Sequence, residues 1–189
     1  MSILQPTLPA ELRPVDDSSF DIGRRKRLSI RRYTIAFARC PDPVDLGPRE
    51  SRVRKPQVLF ERRALFPEIA LLILFTRAGW DGVWADPVRR KFFDKMPNQS
   101  KGISLDGYAS RALARIAANN GQSRSGCWDL ILWRGRHIVF VSLKGASKGE
   151  KVSQVELDWL DACLKSGLAL NQFLIVEWDY RKLIVRRKR

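Results

Sequence analysis

The clearest pattern of apolar and polar positions lies in residues 126–145, GCWDLILWRGRHIVFVSLKG. Two apolar runs rich in β-branched residues flank the polar Arg134–Gly135–Arg136, a pattern that predicts two strands joined by a tight turn. Side chains two apart on a strand share a face, so Ser142 and Lys144 are expected to point the same way, about 7 Å apart. Asp129, at the start of the other arm, can lie across from them. Residues 69–75 are apolar on every face, with Pro67 before them and Gly79 behind, which predicts a deeply buried helix. Glu68 falls in its first turn, either as a carboxylate favoured by the helix dipole or as one aimed at an active site.

The rest of the chain can be read from the same kind of pattern. Residues 31–39 alternate as a strand, 80–84 read as a short strand, and 85–103 as a basic, turn-rich loop. Residues 105–119 form an amphipathic pattern with Tyr108, Ala112, Leu113, Ile116 and Ala117 on one side. Ser153 and Glu156 make an S-x-x-E capping box that opens a helix running to Gly167, with Gln154 in its first turn. Residues 172–178 read as a buried strand. This order describes an α/β (α+β) domain with a mixed central sheet flanked by helices. The expected boundaries are a disordered basic arm over residues 1–30, a single domain over 31–180 with an insertion at about 85–121, and a basic tail over 181–189.

Composition adds a partner class. The 189 residues carry a formal net charge of +15, and a basic surface attracts polyanions, of which nucleic acid is the commonest soluble one. A membrane surface is disfavoured because no basic amphipathic helix stands out, and the longest apolar run is far too short to cross a bilayer. Cys40, Cys127 and Cys163 form no CxxC or Cys/His cluster, so neither a disulfide framework nor a zinc site is expected, and a reducing, cytoplasmic setting is the simplest reading. The N-terminal residues lack the pattern of a signal peptide.

Gly126-x-x-Asp129-Leu130-Ile131, a short turn, a hydrophobic strand ending Lys144-Gly145, then Ser153-Gln154-x4-Trp159-Leu160 and Ser166-Gly167, together resemble the VRR-NUC branch of the PD-(D/E)XK (restriction-endonuclease-like) nucleases. Glu68 in an early helix, followed by Ala78-Gly79-Trp80, fits the same layout, and the resemblance spans residues 67–178. It implies a restriction-endonuclease-like sheet and a phosphodiesterase that hydrolyses DNA with Mg²⁺ or Mn²⁺. The implied metal ligands are Asp129, Glu68 and the main-chain carbonyl of Leu143. Lys144 would orient or help deprotonate the attacking water, and Gln154 would support the shell. Two positions depart from the family pattern. Trp128 stands where proline is frequent, and Ser142 stands where the second acid belongs. A hydroxyl is a poor substitute for a carboxylate on a hard divalent ion. Three readings follow: another acid is recruited, with Glu68 first and Glu150 or Glu156 behind it; catalysis is lost and a non-catalytic nucleic-acid-binding module retains the fold; or the serine was introduced to disarm the site.

Competing chemistry is thinner. Ser142 and Lys144 as a serine–lysine hydrolase would need an oxyanion-type glycine turn, and none accompanies them. Residues 145–151 lack the G-x4-GK[ST] spacing of a phosphate loop. Arg89, Arg90 and Lys91, with Arg134 and Arg136 at the hairpin turn, are candidate phosphate contacts that position rather than specify. His137 is expected at the surface, and Trp133, Trp159 and Trp178 in the core.

Overall fold

A computed structural model describes residues 7–22, 26–46 and 55–181. Nine strands form a mixed sheet among these residues: β1 (Arg13–Ile22), β2 (Lys26–Arg39), β3 (Val58–Phe60), β4 (Arg63–Leu65), β5 (Asp81–Asp86), β6 (Lys91–Phe93), β7 (Leu130–Arg134), β8 (His137–Gly145) and β9 (Phe173–Tyr180). Three α-helices accompany them: α1 (Pro67–Arg77), α2 (Gly107–Asn119) and α3 (Gln154–Lys165). The strand order is β4-β3-β2-β9-β8-β7-β5-β6, with β1 also paired to β2. β5, β7 and β8 run antiparallel as a meander, whereas β9 lies parallel to both β8 and β2. The α/β architecture read from the sequence is therefore present, with helices on both faces.

The two faces follow from the period-2 alternation of the central strands. Leu130, Leu132, Val139, Val141 and Leu143 join the helix α1 residues Ile69, Leu71, Leu72 and Phe75 in one buried cluster. Ile131, Ile138, Phe140, Phe173 and Ile175 pack on the other face against Leu113 and Ile116 of α2 and Trp159, Leu160 and Cys163 of α3. Helix α1 is buried nearly all round because it has no polar stripe to turn outward. It stops in a Schellman arrangement: Gly79 takes φ +85°, its N–H reaches Thr76 O at 2.9 Å, and Trp80 N–H reaches Phe75 O at 3.1 Å. Helix α3 opens on the expected box, with Ser153 and Glu156 bonded reciprocally to each other's backbone N–H.

Several expectations are corrected. Much of the arm expected to be disordered is sheet: Arg13–Ile22 pairs antiparallel with β2, from Arg13 opposite Thr34 to Ile22 opposite Lys26. Phe20 and Ile22 pack against the α2–α3 cluster, which gives this strand a half-buried side despite its run of Asp and Ser. Arg24 and Arg25 of the basic arm lie outside the described residues, as does the tail beyond Arg181. The loop expected over 85–103 contains β6, which folds back on β5, placing Trp84 opposite Phe93. No described helix is long and apolar enough to cross a membrane.

Candidate functional site

Asp129 sits at the entry to β7, with its backbone carbonyl held by Ala85 N–H at 2.8 Å. The residues before it leave little freedom. Gly126 has φ +78°, and a Cβ there would lie 2.0 Å from the Val155 carbonyl oxygen in the first turn of α3. Only glycine fits this approach. Trp128 is fully buried, packs edge-on against Phe173 and donates its indole N–H to Glu156 O at 3.3 Å. The family-like glycine and the unexpected tryptophan therefore both tie the Asp129 strand to the start of α3.

The carboxylate of Asp129 accepts the Leu143 N–H at 2.7 Å, across the strand end. Its pKa is raised to about 7: burial pushes it up first, and the negative charge of Glu68 second. The Leu143 N–H, Lys144 and Lys55 pull the other way and do not win. Glu68 reaches this point from helix α1 on one face of the sheet, and Lys144 from the face that carries α3. The strand end where the two layers meet thus gathers two acids and two lysines. Lys55, ahead of β3, completes the group: its Nζ lies 2.7 Å from Glu68 Oε1. The other Glu68 oxygen, Oε2, is buried with no hydrogen-bond partner among the described residues.

Ser142 and Lys144 do share a face, as the strand geometry requires, and both meet Glu156. Lys144 Nζ lies 2.8 Å from each Glu156 oxygen, and Ser142 Oγ donates to Glu156 Oε1 at 2.8 Å. Ser153 donates both its N–H and its hydroxyl to Glu156 Oε2, at 2.9 and 2.8 Å. Burial pushes the Glu156 carboxyl upward, but the bond from Lys144, the Ser153 N–H, the lysine's charge and the Ser142 hydroxyl together hold it below the usual carboxylate range. Glu156 is thereby committed to the lysine and to the helix cap. Glu150 is committed too: its Oε2 accepts Gly145 N–H at 2.7 Å. Of the acids considered as replacements at the Ser142 position, only Glu68 comes to Asp129 with an oxygen unspent.

The remaining sequence candidates separate. Gln154 does not enter the group; it is exposed and its Nε2 donates to Asp158 Oδ1 at 2.9 Å, one turn along its own helix. It faces away because Glu156, not Gln154, is the first-turn residue turned back toward the sheet by the capping box. Arg134 is taken up by helix α1: its Nε donates to Gly79 O at 2.7 Å, its Nη2 donates to Ala78 O, and its guanidinium lies 4.9 Å from the Trp80 ring. Arg89 bonds the buried carboxylate of Asp86 and lies over Phe93, inside the β5–β6 turn. Both side chains serve the fold where phosphate contact was expected. Arg90, Lys91, Arg136 and His137 are exposed, with the Lys91 ammonium 3.2 Å from Lys101 O. Trp159 and Trp178 are buried as expected, and Trp133 is half-buried in the α2–α3 cluster.

The donor set can be tested against the implied cation. No three His, Cys, Asp or Glu side chains converge on one point among the described residues. The fully buried Ser142 hydroxyl donates to Glu156 and brings no negative charge to a metal. What remains is the pair Asp129–Glu68 with the orphaned Glu68 Oε2. Two carboxylates fit Mg²⁺ or Mn²⁺, since Mg²⁺ keeps several waters and is usually bound by one or two carboxylates together with substrate phosphate. Comparison of the chain with family models, with curated proteins and with solved structures finds no match in any of the three.

Proposed function

We propose that the strand end formed by Asp129, Glu68 and Lys144 is the active site of a divalent-cation-dependent phosphodiesterase acting on DNA. The observation that carries this reading is the approach of two carboxylates from different elements, the buried Glu68 and the half-buried Asp129, close enough for the charge of Glu68 to oppose ionisation of Asp129. It is costly to the fold, because burial and mutual repulsion both penalise ionised Asp129. A cation bound between them removes that cost. The layout α1–β5–β7–β8–α3–β9, with β6 and α2 inserted, supports the reading because it runs in the order the sequence resemblance implies. The net charge of +15 supports a polyanionic substrate.

Asp129 and Glu68 would hold Mg²⁺ or Mn²⁺, which when bound supplies positive charge against the scissile phosphate. Leu143 N–H fixes the aspartate, so that its free oxygen keeps one direction. Lys144 contributes a fixed positive charge beside Asp129, with its ammonium oriented by the two oxygens of Glu156. Ser142 acts at one remove, by holding Glu156. In this arrangement the family's second acid is replaced by Glu68 from α1, and Ser142 belongs to the support of the lysine.

The test is incubation with single-stranded, duplex and branched DNA in Mg²⁺ or Mn²⁺, with Lys144→Ala and Asp129→Asn run in parallel. Metal-dependent cleavage that both variants lose supports the enzyme. Salt-sensitive binding without cleavage supports the non-catalytic binding module, a reading favoured by one observation: Lys144 is locked in a two-point ion pair.

A further inference from the structure

Lys55 has no counterpart in the sequence resemblance, yet it makes a direct ion pair with one acid of the pair. Its ammonium stands 2.7 Å from Glu68 Oε1, 4.3 Å from the centre of the Trp84 ring and 5.4 Å from that of Phe66. The aromatic faces favour a cation at this spot. It also acts on Asp129, whose charge it helps to stabilise. Among the described residues only one of the two Glu68 oxygens has a partner; Oε2 is buried without one. A tethered monovalent cation thus holds one oxygen of Glu68 directly and acts on Asp129 through its charge alone. On its other side Lys55 lines a cavity of about 380 Å³ with Arg39, Gln57, Phe66 and Tyr180. The side chain is 25 % exposed, so the ammonium has open space to move into.

We propose that Lys55 is the resident counter-ion of the Glu68–Asp129 pair and competes with a divalent cation for it, so that Lys55 sets the metal affinity of the site. This rests on the reading of that pair as a cation site. Without metal, the ammonium keeps two like charges compatible with the fold. With metal, it withdraws from Glu68 toward the cavity, and both carboxylates turn to the divalent ion. The presence of the lysine charge opposes metal binding at all times, because two cations share one acid pair.

The experiment is calorimetric titration of Mn²⁺ into the wild type, Lys55→Met and Asp129→Asn, together with thermal unfolding of each in chelator and in Mn²⁺. Methionine keeps most of the apolar stem against Trp84 and removes the charge. The expected result is Mn²⁺ binding to Lys55→Met roughly tenfold tighter than to the wild type, with a lower melting temperature in chelator and a larger rise on adding Mn²⁺. Equal or weaker binding by Lys55→Met, while Asp129→Asn abolishes binding to the wild type, overturns the competition and leaves the cation site standing. Absence of Asp129-dependent binding in every protein overturns the cation site and the competition together. If Lys55→Met does not fold, Lys55→Gln gives the same comparison.

Discussion

Replacing Asp129 with asparagine should stabilise the metal-free protein at neutral pH, although it removes a half-buried charged side chain. Asparagine keeps an acceptor for Leu143 N–H and abolishes the repulsion with Glu68. The sign follows from the raised pKa. An unfolded aspartate ionises near 3.8, whereas Asp129 in the fold ionises near 7. Below the lower value both states hold the proton, and the full stability is present. Between the two values the unfolded chain gives up its proton while the fold keeps it, so stability falls as pH rises. Above about 7 the loss is complete. At 1.36 kcal/mol per unit of pKa, the cost is about 4 kcal/mol. Glu156 works in the opposite direction, since its pKa is lowered: its contribution is present above the ordinary carboxylate value and fails only as pH falls through the lowered one. That window lies below pH 5 and does not overlap a measurement made from pH 5 to 8. Urea unfolding in chelator should show wild-type stability declining across this range, with Asp129→Asn nearly flat and the more stable protein at pH 8. Parallel profiles for the two proteins would refute the account of Asp129 as an acid whose ionisation the fold opposes.

Lys144→Met should cost about 3 kcal/mol at pH 7, because it leaves the Glu156 charge half-buried without its main partner, and adding Glu156→Gln should recover part of that loss in a double-mutant cycle. Gly126→Ala should destabilise by about 3 kcal/mol, since its methyl group collides with the Val155 carbonyl at a left-handed backbone position; chemical denaturation measures it. Ser142→Glu places a second carboxylate where Oγ now stands 2.8 Å from Glu156 Oε1, in a fully buried position. Loss of about 3 kcal/mol in urea unfolding, with no gain in Mn²⁺ affinity, is the expected outcome; restored metal binding would show that position 142 faces the metal after all.

Much of the fold was legible where local signals and burial agreed. The run of apolar residues after Pro67, the hairpin around Gly135 and the Ser153–Glu156 box each fix an element through contacts a few residues apart. The β1 strand was not legible, because its pairing is with the backbone of β2 and its sequence, with Asp16, Asp17, Ser18 and Ser19, carries no strand propensity. The site was legible in outline. Asp129, Ser142 and Lys144 come together because strand alternation is a rigid rule. Gln154 went astray because the first turn of a helix can turn more than one residue toward a sheet, and the cap selects Glu156. Arg134 and Arg89 read as surface cations because nothing local announces a helix end or a buried Asp86 waiting for a guanidinium. Lys55 was invisible for the same reason: its partner is on α1 and its aromatic seat is on β5. The sequence did hold one usable sign of the lysine's partner, since a residue serving both as the box's Glu and as a neighbour of the lysine strand was available in Glu156.

The central claim is that Asp129 and Glu68 share one divalent cation, and anomalous scattering from crystals soaked in Mn²⁺ tests it most directly. The account predicts a manganese peak bonded to both carboxylates, with Lys55 drawn back from Glu68. Manganese bound elsewhere, with the Lys55–Glu68 contact intact and Asp129 unligated, would contradict it.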